Sequence, residues 1–279
     1  MSVPAVHLRR LHETPPSDVF DLPTRWRAEA ATDLGLSGDD LIAGLSPGAA
    51  FPAALRTMRH VLPADVRVIV DVGAGAGGAS EWLRAATGAM VIAVEPAAVA
   101  ALTAMQSFAQ LHVVRGRADA VPVRAGAADV VTWCGVMSLL TDVVTELHEA
   151  RRMLRPGGVF AIADLWSSSA NDLRSEPNVF RSVESAQQIL AMNGFEMCEV
   201  GVGPSSVTAE WSEAARAVKD WISTQRSDAP GHREWLADQR HLQLHAEQGN
   251  VVGGCVVARA VPARPIAIRG PAGRSEAQP

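Results

Sequence analysis

The sequence contains no tyrosine and only three cysteines, and it lacks both long apolar runs and basic blocks. Cys134, Cys198 and Cys255 are far apart and odd in number, which excludes a disulfide or zinc framework and predicts a reducing cytoplasm. No apolar run reaches the ~18 residues of a membrane span, and the N-terminus shows no hydrophobic signal core. A net charge of −5 argues against a nucleic-acid partner. We therefore expect a cytoplasmic protein without a membrane or nucleic-acid partner.

A chain of 279 residues, 48% of them hydrophobic, has room for one large α/β domain plus a smaller subdomain or lid. From residue 66 onwards, segments typical of strands alternate with segments typical of helices. The predicted strands span residues 66–72, 90–94, 111–114, 129–133, 159–163, 195–202 and 251–257. Repeated strand–helix units predict a doubly wound, mostly parallel sheet with right-handed crossovers.

Segments on both sides of this alternating region predict the domain organisation. Residues 204–249 interrupt the rhythm with two helical stretches before the last strand, and the proline- and glycine-rich end of the chain is typical of a disordered tail. The predicted units are an N-terminal helical cap (1–62), a Rossmann-like core (63–203), a helical lid (204–249), the last core strand (250–262) and a tail (263–279).

A glycine-rich turn follows the first predicted strand and leads into a helix. Glycine is needed where the backbone approaches a ligand closely or has a positive φ, and a helix start directs free N–H groups at that ligand. Gly73, Gly75 and Gly78 fit the dinucleotide fingerprint, whereas Asp71 followed by Gly73, Gly75 and Gly77 fits an acid-x-G-x-G-x-G loop equally well. Because a carboxylate repels a pyrophosphate, Asp71 favours a cofactor that carries an ammonium group.

Glu95 and Pro96 follow the second predicted strand. An acid in this place is suited to accept hydrogen bonds from the hydroxyls of an unphosphorylated ribose. The alternative is a surface acid that caps the next helix. Pro96 suits the first turn of that helix.

The glycine loop, Glu95, the 116–122 loop, Trp133 and the 155–158 turn together resemble the class I methyltransferases that depend on S-adenosylmethionine (SAM), in particular the small-molecule, ubiquinone/menaquinone and natural-product type. The resemblance implies a seven-stranded sheet whose last strand is antiparallel. It also implies that SAM is the cofactor, with its methionine portion on the glycine loop, its ribose on Glu95 and its adenine on the 116–122 loop. The residues predicted to bind the cofactor are Asp71, Gly73, Gly75, Gly77, Glu95, Pro96, Ala118, Asp119 and Trp133.

One position departs from the family pattern. Arg117 stands where the family has the acid that meets the adenine amino group. Asp119, two positions later, is a substitute for that acid, and backbone contacts from Ala118 survive the change.

The predicted catalytic residue is Asp164, at the end of the fifth predicted strand. It is suited to act as a general base, or else to cap a helix. The histidine pair that such methyltransferases often carry after strand four is replaced by Leu139 and Leu140. His241 and His245 lie four residues apart on the lid, where we expect a solvated face and no metal. The substrate pocket is predicted to include Met137, Trp166, Trp211 and Trp221.

The sequence therefore predicts O- or C-methylation of a small, partly apolar molecule in specialised metabolism. Two alternatives stay open: an NAD-dependent oxidoreductase, and a methyltransferase-like fold kept as a non-catalytic binding subunit or a repurposed catalyst. The oligomeric state is not fixed by the sequence, and a homodimer is compatible with it.

Overall fold

The computed structural model describes residues 16–46, 52–203 and 209–261. Its main element is a seven-stranded sheet in the order β3-β2-β1-β4-β5-β9-β8, accompanied by a two-stranded hairpin, β6-β7. The strands are β1 (Val68–Val72), β2 (Met90–Glu95), β3 (His112–Arg115), β4 (Ala128–Cys134), β5 (Leu154–Ser167), β6 (Leu173–Ser175), β7 (Asn178–Phe180), β8 (Phe195–Gly203) and β9 (Val251–Ala260).

Helices flank the sheet and precede it. The described helices are α1 (Pro16–Asp33), α2 (Gly38–Gly44), α3 (Pro52–Val61), α4 (Gly78–Thr87), α5 (Ala98–Ser107), α6 (Val144–Met153), α7 (Val183–Met192), α8 (Ala209–Gln225) and α9 (His232–Glu247). A short 3₁₀ turn, Met137–Leu139, follows β4. Within the described residues, no helix is both long and apolar enough to cross a membrane.

The sheet confirms the predicted fold class. Strand β1 pairs in parallel with both β2 and β4, so the strand order reverses at β1, where ligands bind in doubly wound sheets. Strand β9 is antiparallel to both of its neighbours, β5 and β8, as the resemblance implied.

The core lies on both faces of the sheet, because successive side chains of a strand point to opposite faces. On one face, Ile69 and Val130 pack with α3 and α4. On the other face, Val70 and Val131 pack with α6 and α7. This alternation decides which residues at the strand ends can reach a ligand.

Two local features differ from the sequence-based expectation. Strand β5 begins at Leu154, so the 155–158 segment is part of the strand, and it continues to Ser167 beyond Asp164. The β6-β7 hairpin was not predicted, because strands of three residues show no usable periodicity.

The predicted lid contains two helices, α8 and α9, as expected. Helix α8 packs against α1 and α2, and Val218 and Ile222 share a cluster with Trp26. The N-terminal helices and the inserted helices therefore form one helical layer. The predicted domain limits stay a prediction, and the predicted tail lies outside the described residues.

Candidate functional site

The glycines of the loop after β1 have positive φ angles, with 75° at Gly73, 56° at Gly75 and 87° at Gly77. A Cβ added to Gly73 would lie 2.4 Å from Val136, and one added to Gly77 would lie 2.9 Å from Ala104. At Gly75 no atom of the described residues, apart from its chain neighbours, lies within 4 Å of that position. Gly73 and Gly77 are thus required by packing, and Gly75 is the one of the three that faces open space.

Glu95, the last residue of β2, ties this loop to the next helix. Its Oε2 accepts a hydrogen bond from the Gly75 N–H at 2.8 Å, and its Oε1 accepts one from the Ala97 N–H at 2.8 Å. The residue is only 6% exposed, and burial raises the pKa of its carboxyl group although the two N–H donors oppose that shift. Glu95 therefore lies at the carboxyl edge of the sheet, directly beside the open glycine.

Asp71 is placed differently from the prediction that it contacts a cofactor ammonium group. Its side chain is fully buried and accepts hydrogen bonds from Ser80 Oγ at 2.5 Å and Thr132 Oγ1 at 2.6 Å. Burial raises its pKa, and the two hydroxyl groups act in the opposite direction. A side chain with no exposed surface cannot touch a ligand in this conformation, so Asp71 joins β1 to β4 and to the start of α4.

A third carboxylate approaches the loop from the first helix. Asp21 accepts a hydrogen bond from the Val99 N–H at 3.0 Å and so caps α5 from another helix. The charges of Asp71 and Asp21 both add to the raised pKa of Glu95. The loop therefore lies in a locally negative region, which favours a cationic ligand over an anionic one.

The predicted adenine loop contains an ion pair. Arg117 donates from Nε and Nη2 to the two carboxylate oxygens of Asp119, both at 2.9 Å. This pairing lowers the pKa of Asp119. Asp119 is thus ionised and held by Arg117, the residue that replaces the family's acid.

Two other predicted cofactor contacts lie beside these residues. Pro96 is half-buried and precedes α5, where its carbonyl oxygen accepts a hydrogen bond from Arg115 at 2.6 Å. Ala118 is half-buried between Arg117 and Asp119. Both positions lie at the carboxyl edge of the sheet, and their contact with the cofactor stays a prediction.

Three predicted contact residues lie instead in the hydrophobic core between the sheet and helices α6 and α7. Trp133, Met137 and Trp166 are each 1% exposed. Trp133 packs edge-on against Phe160 with ring centroids 4.9 Å apart, and Trp166 donates its indole N–H to the Gly254 carbonyl at 3.2 Å. The predicted cofactor role of Trp133 and the substrate-pocket roles of Met137 and Trp166 are not supported, because these side chains point to the face of the sheet covered by α6 and α7.

The lid tryptophans also contribute to packing. Trp211 is 7% exposed and lies in the same cluster as Ala43 and Leu55. Trp221 is half-buried against the α1–α8 cluster, and the Arg226 guanidinium lies 4.7 Å from its ring centroid. The substrate contacts predicted for both residues stay a prediction, with Trp221 the more accessible of the two.

Asp164 holds the turn after β4. The buried carboxylate accepts hydrogen bonds from the Ser138 N–H at 3.1 Å and from its own neighbour's N–H, that of Leu165, at 2.7 Å. The carboxylate is 1% exposed, and burial raises its pKa. This geometry corresponds to a capping role, with the cap on a 3₁₀ turn rather than on a following helix.

Arg181 holds the same turn from the other side. The guanidinium is 4% exposed and donates to the carbonyl oxygens of Met137 and Leu140, both at 2.8 Å, and of Thr141 at 3.2 Å. Asp164 thus fixes an N–H group of the turn and Arg181 fixes three of its carbonyl groups. Together they determine the path of the chain from β4 to α6.

Comparison with known proteins identifies the domain. Residues 70–162 match the family described as "Methyltransferase domain". Residues 70–162 are the core of a class I SAM-dependent methyltransferase domain. The malonyl-acyl-carrier-protein O-methyltransferase of Enterobacter lignolyticus (strain SCF1) is 30% identical over 140 residues, which are 48% of this chain and 53% of that protein. The chain therefore spans about half the length of this curated relative.

Solved structures show the same methyltransferase fold. The (4+2)-cyclase SpnF has a TM-score of 0.68 at 16% identity, with 88% of this chain and 94% of that one covered. The O-methyltransferase of a trans-AT PKS multienzyme of Brevibacillus brevis, in complex with S-adenosyl-L-homocysteine, has a TM-score of 0.57 at 13% identity, with 75% and 72% covered. At such identities the likeness concerns the fold alone.

Sequence reasoning missed several residues that shape the methyltransferase domain. The role of Thr132 could have been inferred from the sequence, since it is a polar residue inside an apolar strand. No sequence pattern pointed to Ser80, which lies nine residues after Asp71. None pointed to Asp21, which caps α5 from a different helix. None pointed to Arg181 either, because its partners lie some 40 positions earlier in the chain.

Proposed function

We propose that this chain binds SAM at the Gly75–Glu95 site and transfers its methyl group to a small, partly apolar acceptor by O- or C-methylation. Support comes from the methyltransferase family match and from the geometry at the carboxyl edge of the sheet. SAM is the methyl donor of this class of enzyme. A role in specialised metabolism belongs to the same proposal.

The observation that carries the proposal is the carboxylate of Glu95 beside the open glycine. Two backbone N–H groups fix its oxygens, 2.8 Å from each donor, so the carboxylate is preorganised while further lone pairs stay free for ribose hydroxyls. In the part of the chain that the structure describes, no atom beyond the neighbouring residues lies within 4 Å of where a Gly75 side chain would begin. The residues present therefore fit an adenosyl cofactor.

The charge around the loop favours SAM over NAD. Asp21, Asp71 and Glu95 all act on this site, and a dianionic pyrophosphate would be repelled where a cation is attracted. The family match points the same way. We therefore prefer methyl transfer to the NAD-dependent alternative.

When bound, SAM supplies an electrophilic methyl group on a sulfonium centre. The protein's part is to orient the acceptor and to exclude water, because charge disappears during the transfer and alignment lowers the barrier. The turn fixed by Asp164 and Arg181 is suited to the first task, and helices α8 and α9 to the second. Since Asp164 is buried, the proposal includes no general base from β5.

The O-methyltransferases among the similar proteins favour an oxygen acceptor over a carbon one. The partly apolar nature of the acceptor is inferred from the tryptophan-rich helical layer above the sheet. The three cysteines lie in the described part of the chain and are free thiols, which is compatible with the proposed cytoplasmic location.

A repurposed catalyst is the second candidate. The similarity to a cyclase covers 88% of this chain, and no histidine stands in the turn after β4. A methyltransferase fold that no longer transfers methyl groups would still bind a small molecule beside the glycine loop.

Calorimetry followed by a turnover assay tests these proposals. We expect SAM and S-adenosylhomocysteine to bind and NADH not to bind. Label from methyl-tritiated SAM should then appear in members of a panel of phenols, carboxylic acids and other hydroxylated small molecules. Binding of NADH alone would contradict the proposal, and SAM binding with no transfer to any acceptor would favour the repurposed catalyst.

A further inference from the structure

A second cluster of chemically active side chains lies outside the cofactor site, where α9 meets the β6-β7 hairpin. The Oγ atom of Ser175 is 2.5 Å from Nε2 of His241 and 2.8 Å from Nε2 of His245. The two histidines do not form a fully solvated face as predicted. They face the hairpin, with His241 exposed and His245 half-buried.

The positions of the two histidines are set by the helix. Residues four apart lie one turn apart on the same face, which is the spacing that metal-binding helices use for two imidazole ligands. The rings have centroids 4.7 Å apart and planes at 84°, and both Nε2 atoms point to the same oxygen. Two imidazole nitrogens of α9 thus approach one hydroxyl oxygen of the hairpin, which gathers three lone-pair-bearing atoms from two elements.

This arrangement restricts the tautomers of the two histidines when the side chains bond to each other. A serine hydroxyl has one hydrogen and can donate it to one nitrogen only, so the second ring must adopt the tautomer that donates from Nε2. A cation that lies between the two nitrogens and the oxygen would interact favourably with all three atoms at once. Imidazole nitrogen is a preferred ligand of Zn²⁺, Cu²⁺ and Ni²⁺.

We propose that His241, His245 and Ser175 form a binding site for one divalent transition-metal ion, Zn²⁺ in the first instance, which fastens the β6-β7 hairpin to α9. The two Nε2 atoms are the principal ligands, Ser175 Oγ is the third, and water completes a tetrahedral set. Within the described residues no group of three or more His, Cys, Asp or Glu side chains could hold a metal, so this site depends on the serine. Small shifts bring each nitrogen to about 2.0–2.1 Å from the ion.

The surroundings of His245 suit a ligand. Phe180 of the hairpin packs against its ring with centroids 6.1 Å apart, and the side-chain amide of Asn250 lies 3.4 Å from its Nδ1. Such contacts fix the orientation of a ligating imidazole.

The site is linked to the methyltransferase core through the hairpin. Strand β7 packs against the 3₁₀ turn Met137–Leu139, which Asp164 and Arg181 hold. A metal ion that stiffens the hairpin would therefore also stiffen strand β7, which packs against that turn. The proposal itself is independent of methyl transfer, and its test does not use activity.

The experiment is a calorimetric titration of the full-length chain with ZnCl₂. We expect one site that His241→Gln and His245→Gln each weaken by about tenfold or more. His148→Gln removes an exposed histidine of α6 and serves as the matched control, with unchanged affinity expected. Circular dichroism of each variant confirms that it is folded.

A second readout tests the role of the hairpin. Hydrogen exchange of residues 173–180 should slow when Zn²⁺ is added to the wild type, and this protection should be lost in Ser175→Ala. Equal zinc affinity in the wild type and the His241→Gln/His245→Gln double variant would overturn the proposal. Zinc binding without any protection of the hairpin in the wild type would overturn the proposed link between hairpin and helix.

Discussion

At the scale of single residues, the glycines of the loop after β1 differ in what surrounds them. Gly73 and Gly77 are held against protein atoms, whereas Gly75 faces open space beside Glu95. A side chain at Gly75 would therefore displace a ligand rather than a neighbouring side chain.

We predict that Gly75→Val abolishes SAM binding while the fold persists, because the new side chain occupies the space beside Glu95. Gly126→Val is a matched control, since Gly126 also has a positive φ, 66°, and no atom of another described residue, its chain neighbours apart, within 4 Å of an added Cβ. Both variants should lose about 1–2 kcal/mol or more of stability from left-handed strain. Calorimetry with SAM that finds equal affinity in the two variants would refute the assignment of the site.

A substitution at Asp164 can distinguish a role in positioning the turn from a role as a general base. Asn keeps the size of the side chain and one oxygen that can accept the Ser138 N–H. We therefore expect Asp164→Asn to retain turnover within a few-fold at saturating SAM, with a pH–rate profile that superimposes on that of the wild type. A loss of about 10²- to 10⁴-fold that shrinks as the pH rises would instead identify a general base.

At the scale of elements, the turn after β4 depends on one buried cation. Arg181→Met leaves the carbonyl groups of Met137, Leu140 and Thr141 without their donor, at a cost of about 1–3 kcal/mol for each group that stays buried. We predict faster hydrogen exchange in residues 137–143 of this variant.

Arg151→Met is the control for Arg181→Met. Arg151 also donates to backbone carbonyls, but to those of Gly194 and Val261 rather than to those of the turn after β4. Its loss should lower stability without changing exchange in residues 137–143. Equal exchange of that segment in both variants would show that Arg181 does not hold the turn.

The inserted helix α8 is predicted to act mainly through packing. Trp211 is buried with side chains of α2 and α3, so Trp211→Ala should lower the free energy of unfolding by about 3–5 kcal/mol. Met192→Ala, at a residue that is 77% exposed, should change it by no more than about 0.5 kcal/mol. Denaturant unfolding measures both, and a small effect at Trp211 would show that α8 does not act mainly through packing.

At the scale of the whole molecule, buried carboxylates make stability and binding respond to pH in opposite directions. A carboxyl group whose folded pKa is raised contributes stability that is fully present below its unfolded pKa, about 4, and is lost as the pH rises through the folded value. The ionised form of Glu95, however, is the one that attracts a cation.

We therefore predict that the SAM affinity of the wild type falls as the pH is lowered and Glu95 becomes protonated, and that this fall begins at a higher pH than for an exposed glutamate because the pKa of Glu95 is raised. Glu95→Gln should bind SAM more weakly by about 1–3 kcal/mol and show a flatter pH dependence. Glu184→Gln, at an exposed residue of α7, should behave as the wild type does. Parallel pH curves for the wild type and Glu95→Gln would assign the titration to another group.

The fold could be predicted from the sequence because strand and helix periods, glycine turns and the motif order all act locally. The position of Glu95 was predictable for the same reason, since it ends a strand next to the glycine loop. The burial of Asp71, Trp133 and Trp166 was not predicted, and their ligand contacts stay a prediction that the structure does not support. Their roles depend on which face of the sheet each one occupies and on partners such as Thr132, 61 positions away from Asp71.

The place of β9 has a consequence for the order of events during synthesis. The last strand of the sheet to emerge from the ribosome lies in its interior, between β5 and β8, rather than at an edge. Until residues 251–260 are made, at about 5–20 residues per second, β5 and β8 each present an unpaired edge. The nascent chain thus spends seconds with a five-stranded sheet that ends at β5 and with β8 unpaired, and a truncation just before β9 would leave that state permanent and prone to aggregate.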